Sequence, residues 1–543
     1  MEFCMFRRML GGVAALALLV AATPGLAQDF SAATLSEGIR TISADAYQGR
    51  YPGTEGERMV LSWLQAQYEA MGMEPGGPDG QWLQHIELKR YTPVAGASAS
   101  WTGPDGQSHV LTPGTDIILR ADTNDGRAVI REAGLMFVGY GIFAPERQWD
   151  DYGNADVRGK VVIVIAGEPE GALFNGAYAT NYQSDEYKAD EAFRRGAVGV
   201  VTLAQGDVNS QAWQRTLRGS ARKRTATPGA ADLEFSATTL PETAAAWGAA
   251  AGVDIGALEV TGGAFKAVSL QGVTLSIDVA ETIDTLVTHN LLARIPGTEH
   301  PDETIVYSAH WDHVGGAEQH PGVTGDQIWN GAWDNASGTI GVLEMARQLS
   351  AAPRPKRSIV FAHMAAEEMG LLGAYAYAAD PVWPLATTVA DINIDMLPLS
   401  GSTRDVPIFG KGQNELEDRL ELLAAAEGRY VSDDHMPEQN FYYRSDHFPF
   451  ARMGVPAIMP WHGWDWVEGG REAGEAAWKA KFGADYHRAS DEWSADWDLT
   501  SAVENLTLLY HLGLDLANSE DWPGWKPDSE FGAIRAESAA ARQ

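Results

Sequence analysis

Five apolar runs of strand length punctuate the second half of the chain. They are HNLLARIPG from His289, TIVYSAH from Thr304, RSIVFAH from Arg357, TVADINIDM from Thr388 and PAIMPWH from Pro456. Runs of this kind, bounded by Gly, Pro and Asp, read as strands. Between several of them lie helical patterns. In GTIGVLEMARQLS, the residues Val342, Leu343, Met345, Ala346 and Leu349 recur at the spacing of one helix face. Strand–loop–helix alternation of this sort predicts an α/β fold: a sheet flanked by helices, with ligands gathering at the carboxyl ends of its strands.

Two other textures precede this region. Near the N-terminus, Val60, Leu61, Leu64, Tyr68 and Met71 carry a helical spacing, and Thr54 with Glu57 predicts a capping box at its start. From about residue 93 to 275 the apolar runs are short and broken by Gly, Pro and Asp, as in AGLMFVGYGI, GKVVIVIAGEP and AVGVVTLA. This texture predicts a separate β-rich unit, with a helix in EYKADEAFRRG leading into one strand. The expected organisation is a leader over 1–27, a first piece of the main domain over 28–92, an inserted unit over 93–275, the main domain over 276–520, and a polar, peripheral tail over 521–543.

The leader changes the compartment. Arg7 and Arg8 precede the apolar run LGGVAALALLVAA, and Gly25-Leu26-Ala27 ends it with small residues. That order predicts a secretory signal peptide, with a membrane anchor as the alternative. The run is short for a membrane span. Cys4 is the single cysteine and precedes the apolar run, so lipidation after it is not indicated. A mature chain without cysteine has no disulfide, thiol nucleophile or thiolate-held zinc. Any transition-metal site is then built from His and carboxylate. Export predicts a secreted or periplasmic protein with no membrane association once the signal is removed. A formal net charge of -33 argues against a nucleic-acid partner, which demands a basic surface.

His and carboxylate recur where the apolar runs stop. His310 follows TIVYSA, Glu367 and Glu368 follow RSIVFAHMAA, and Asp395 ends ADINID. Asp334 stands before a helical pattern, and His487 lies in DYHRASDEW. Singly, each has a structural alternative. Asp334 suits a helix cap, and the Glu367–Glu368 pair suits a first helical turn. Jointly they exceed what one catalytic zinc takes, which is three protein ligands and an open position. They suit a pair of ions sharing one carboxylate.

The segments SAHWDHVG, GAWDNASG, AAEEMGLLGA, NIDM, RSDHFPF and YHRASDEW, in that order between about 305 and 495, resemble the co-catalytic dizinc exopeptidases, the family of secreted aminopeptidases and glutamate carboxypeptidases. The stretch FVGYGIFAPERQWDDYGNADVRGKVVIVIAGEP resembles the start of the protease-associated domain inserted in many members. The resemblance implies a mixed central sheet flanked by helices, with that β-rich domain inserted. It implies two Zn²⁺ ions, one held by His310 and Asp395, the other by Glu368 and His487, with Asp334 bridging. Glu367 would be the general base that activates a metal-bridging water. Asp312 would sit behind His310 and orient its ring. Tyr486 matches a tyrosine that donates to the oxyanion in some members; its alternative is a packed aromatic. Arg444 would contact the substrate backbone or pair with Asp446. His313, His363, His447 and His462 match no ligand position. The cluster PWHGWDW would either pack or wall an apolar side-chain pocket.

The function this implies is a secreted dizinc metallo-aminopeptidase acting on peptides. The alternatives are a glutamate carboxypeptidase-like enzyme, which needs an arginine cluster for the substrate carboxylate, a glutaminyl cyclase working with one zinc, and a non-catalytic binding protein on the same scaffold.

Overall fold

The computed structural model describes residues 30–174, 179–260, 265–322 and 324–542. The expected signal peptide, Cys4 included, lies outside the described residues.

One strand organises the molecule. Val268–Ile295 runs for 28 residues with buried and exposed positions largely alternating. Its first half pairs antiparallel with Arg127–Phe137 and Ser98–Thr102. Its second half pairs antiparallel with Leu83–Pro93 on one side and Arg357–Met364 on the other. The boundary expected at 275–276 therefore falls inside a continuous strand that both sheets share.

Beyond Arg357–Met364, the second sheet continues in parallel through His300–His310, Thr388–Asn393 and Ala457–Ile458. The strand His300–His310 thus lies between the two strands that follow it in the chain. The path from Arg357–Met364 to Thr388–Asn393 crosses over it, which makes its carboxyl end a switch point in the topology. Side chains alternate across this sheet. Ile305, Tyr307 and Ala309 enter one core with Ile340 and Leu343 of the helix Ser337–Ala351 and with Leu506 and Leu509 of the helix Thr500–Asn518. Val306, Val360, Ala362 and Met364 enter another with Tyr377, Phe448 and Phe450. Burial on both faces is why these segments read as continuous apolar runs rather than as alternating ones.

The intervening region has its own parallel core strands, Arg127–Phe137, Val161–Ile165, Gly199–Leu203 and Phe235–Thr239, with Ile117–Ala121 antiparallel at the edge. Leu135, Phe137, Ile163, Val201 and Trp247 share its core. The helix Asp185–Arg194 leads into Gly199–Leu203, and the Ser184 side chain caps it by accepting from the Tyr187 amide.

Two local expectations differ from the structure. The helix Glu55–Ala70 forms with Val60, Leu64 and Tyr68 fully buried, but no capping box closes it. Thr54 Oγ1 donates instead to the Tyr51 carbonyl at 2.6 Å. The Glu57 carboxylate reaches back past Thr54 to accept from the Gly53 amide at 2.5 Å, and it also meets the long strand, accepting from Thr288 Oγ1 at 3.0 Å and standing 2.9 Å from His289 Nδ1. Burial against the sheet decides its partners. The tail is not peripheral either. Phe531 is buried, and Arg535 donates to the carbonyls of Leu385 and Thr388 at 3.2 and 2.9 Å, satisfying acceptors at the start of a core strand. Among the described residues, no helix is long and apolar enough to cross a membrane.

Candidate metal centre

The carboxyl ends of three adjacent parallel strands and one irregular turn build the site. His310 is the last residue of its strand and is in register with Met364. Past Met364, the chain turns through Ala366 at φ 54° and delivers Glu367 and Glu368. Past Asn393 it delivers Asp395, followed by Met396 at φ 54°. His487 follows the helix Gly470–Asp485 and itself adopts φ 54°. Left-handed backbone at non-glycine residues costs about 1–3 kcal/mol each and collects where side chains are aimed for function.

Asp334 does not cap the helix after it. It sits in the non-helical stretch Ala332–Ala336, where the peptide to Asn335 is cis. Asp491 holds this stretch, accepting from the amides of Trp333 and Asp334, both at 2.9 Å. Asn335 Oδ1 accepts from the amides of Gly338 and Met396 at 2.7 and 3.0 Å, tying the turn to the segment that carries Asp395. Thr339 Oγ1 donates to the His310 carbonyl at 2.7 Å. From below, the fully buried Arg50 guanidinium donates to the carbonyls of Trp311, Asn330 and Gly331 at 2.9, 2.6 and 2.8 Å.

The structure brings His310, Asp334, Glu367, Glu368, Asp395 and His487 together. The Asp334 carboxylate is divided: Oδ1 lies 3.4 Å from His310 Nε2, and Oδ2 lies 3.1 Å from His487 Nε2. Around His310 stand Asp395 Oδ1 at 3.3 Å and Glu367 Oε2 at 3.9 Å. Around His487 stands Glu368 Oε2 at 2.8 Å. Asp395 Oδ2 in turn accepts from Ser445 Oγ at 2.7 Å.

Two expected details come out differently. The group nearest His310 Nδ1 is the Asp312 backbone carbonyl at 3.2 Å; the Asp312 carboxylate is 3.9 Å away. That carboxylate accepts from the amides of Glu367 and Glu368 at 3.1 and 3.4 Å, so it holds the turn that presents both glutamates. Arg444 does not pair with Asp446, whose carboxyl is buried without a hydrogen-bond partner. It donates weakly to Gln439 O and Tyr486 Oη at 3.3 and 3.4 Å. The Tyr486 ring stacks between Phe482 and His487, with centroids 4.4 and 3.9 Å away. Its hydroxyl is aimed at Arg444, in a cavity lined also by Glu367, Asp395, Met396, Phe441, Met459 and Trp461.

Charge is unbalanced here. Asp312, Asp334, Glu367, Glu368 and Asp395 converge with no lysine or arginine side chain paired to them among the described residues, and imidazoles are their partners. Burial pushes the Glu367 carboxyl well above its usual range, with Glu368 and Asp395 adding to it. Burial also lifts Asp312 to about 7. Burial opposes the charged form of His310, but Glu367, Asp395 and Asp334 outweigh it and hold the imidazole well above its ordinary value. His487 is raised to about 10 by Asp334 and Glu368 against the same penalty. Buried carboxylates in such excess are costly unless cations compensate them. The donors fall into two groups whose ligating atoms lie within 4.8 Å of one another, His310–Glu367–Asp395 and His313–Asp334–Glu368. Imidazole and carboxylate donors at this spacing fit divalent transition metals.

Sequence reasoning passed over three contributors. His313 lies just after the first carboxylate of the SAHWDHVG segment, but only the fold turns it toward Glu368. Asp491 lay inside a noticed motif, and its contact is to backbone amides that no motif reveals. Arg50 carries no local signal at all.

Part of the chain is similar to known peptidases. Residues 290–511 match peptidase family M28. A segment of 139 residues is 32% identical to mouse aminopeptidase NAALADL1, covering 24% of this chain and 17% of that protein. A segment of 116 residues is 34% identical to a probable zinc metalloprotease of Phaeosphaeria nodorum, covering 20% of this chain and 23% of that protein. The chain thus spans about a fifth of the length of these curated relatives. Among solved structures, an aminopeptidase from Aneurinibacillus sp. strain AM-1 aligns at 18% identity and a TM-score of 0.43, over 90% of this chain and 94% of that one. Residues 290–511, which hold every metal-ligating candidate described above, are thus the part of the chain similar to peptidase family M28.

Proposed function

We propose that the protein is an exported metallo-aminopeptidase that removes N-terminal residues from peptides with two zinc ions. The observation that carries this reading is the divided Asp334 carboxylate, one oxygen toward His310 and the other toward His487, at the junction of two donor groups. His310, Asp334 and Asp395 would hold one ion, and Asp334, Glu368 and His487 the other. When bound, such a pair polarises the scissile carbonyl and lowers the pKa of water.

The chain's own groups supply the rest. Glu367 is the general base: its carboxylate takes the proton of the attacking water and returns it to the leaving amine. The Asp312 carboxylate fixes the backbone that aims it. Tyr486 Oη donates to the oxyanion as it forms, and its ring is held rigid by stacking. Glu367 and Asp395 receive the substrate's ammonium group. Met396, Phe441, Met459 and Trp461 give the cavity apolar walls, which favour an apolar first side chain. Arg444 is the one arginine among the lining residues described, which weighs against a site built to clamp a substrate's terminal carboxylate. Export is supported by the basic-then-apolar leader.

The test is hydrolysis by the purified chain of an N-terminal leucine anilide against a peptide with C-terminal glutamate. The anilide should be the substrate; turnover of the second alone would reverse the assignment. Glu367→Gln should lower kcat by about 10²–10⁴-fold with metal content unchanged.

A further inference from the structure

We propose that His313 is a fourth protein ligand of the second metal position, completing the set His313, Asp334, Glu368 and His487. This rests on the metal-centre reading above and extends it by a residue outside the ligand pattern that led to it.

The His313 ring is fully buried, and neither of its nitrogens has a hydrogen-bond partner. Its Nδ1 nevertheless lies 2.8 Å from Glu368 Oε1, an oxygen that also lacks a hydrogen-bond partner. An imidazole nitrogen and a carboxylate oxygen this close, without an aligned hydrogen bond, offer two ligand atoms to one cation placed beside both. The other Glu368 oxygen is 2.8 Å from His487 Nε2, and the two imidazole rings meet edge to face at 5.9 Å between centroids. Asp334 is within the same donor group as His313 and Glu368. The ring's place is prepared. Gly331, at φ 53°, has no side chain, and a Cβ there would overlap the His313 ring and the Asp334 carbonyl. The glycine that starts the Asp334 turn thus makes room for His313.

The consequence is an unequal pair. Four protein donors close one position, as in sites that hold zinc structurally. The other, with His310, Asp395 and its share of Asp334, keeps an open place for water and substrate. The two ions should then bind with different affinities, the closed position filling first.

The first measurement uses the unmodified full chain loaded with Co²⁺. Counting exchangeable imidazole N–H protons shifted by the paramagnetic ions should give three, from His310, His487 and His313. Two such protons with two ions bound would overturn the proposal. The second uses His313→Gln and zinc competition against a chromophoric chelator. One of the two equivalents should weaken at least about 10–100-fold while the other is retained. Unchanged affinity for both would equally overturn it. If the variant does not fold, the proton count on the unmodified chain decides. A chain that binds no divalent metal would remove the metal-centre reading itself, which is distinguishable from binding two ions through two imidazoles.

Discussion

At the scale of single residues, the site depends on groups that never meet substrate. Arg50 is the clearest. Its guanidinium is entirely buried, and its burial lowers it only to about 10, so it stays charged at neutral pH. It bonds carbonyls of the His310 loop and of the turn before Asp334. Arg50→Met keeps the volume but leaves those acceptors buried and unsatisfied. The expected loss is on the order of 3–5 kcal/mol, read as a lowered urea midpoint in equilibrium unfolding. Of the five residues that the resemblance put at metal positions, His310, Glu368 and Asp395 stand near the ends of apolar runs, whereas Asp334 and His487 carried only their motifs. Arg50 and Asp491 were not legible, since their partners are backbone atoms brought near by folding.

At the scale of elements, the turn between Asn330 and Ser337 does the positioning. Its backbone closes one hydrogen bond, from the Ala336 amide to the Gly331 carbonyl at 3.1 Å, and side chains hold the rest: Asp491 accepts from its amides, and its own Asn335 accepts from the Met396 amide. Gly331→Ala should disturb it twice, by forcing a Cβ into left-handed backbone and by displacing the His313 ring. A drop in Tm with loss of metal at one position is expected, checked by calorimetry and metal analysis. Asp491→Ala should lower metal affinity by about 10–100-fold, because the amides it holds set the Asp334 carboxylate. A shift confined to Tm would count against that link. Helix and strand positions were readable here because apolar spacing is local. The failed capping box shows the limit: Glu57 has the right sequence position, but it accepts from the Gly53 amide rather than that of Thr54 and shares its carboxylate with a strand more than two hundred residues away.

At the scale of the whole molecule, the inserted region is joined to the main body by the long strand and by buried polar contacts. Glu530, from the tail, accepts from Tyr443 Oη at 2.8 Å in the main body and from the Asn181 amide at 3.1 Å in the inserted region. Burial raises its carboxyl to about 7. A carboxyl with a raised folded pKa binds protons more tightly in the folded state. Stability should therefore be undiminished below about pH 4.5 and fall as pH rises through about 7. Glu530→Gln keeps one acceptor oxygen, which in place of Oε1 serves Tyr443 Oη and lies 3.4 Å from the Asn181 nitrogen. Its Tm should match that of the unaltered chain near pH 4.5 and exceed it by an amount worth roughly 2–3 kcal/mol above pH 7.5. Metal removal should act on the entire fold. With ions gone, the converging carboxylates repel one another, and chelation should lower Tm in a way that added zinc reverses. The linkage is worth about 4 kcal/mol per ion when free metal is about 1,000 times Kd.

The amino-acid order by itself determined the α/β character and the strands whose ends carry chemistry. It determined too that any transition-metal site built within residues 28–543, which contain no cysteine, draws on His and carboxylate. These follow from local periodicity and residue type. Only the tertiary structure decided that the two sheets share one strand, that Asp334 faces two imidazoles at once, that the Asp312 carboxylate holds a turn rather than a ring, and that His313 belongs with Glu368. Each of those depends on which distant segments pack together, and long-range packing leaves no periodic trace in the residues that it joins.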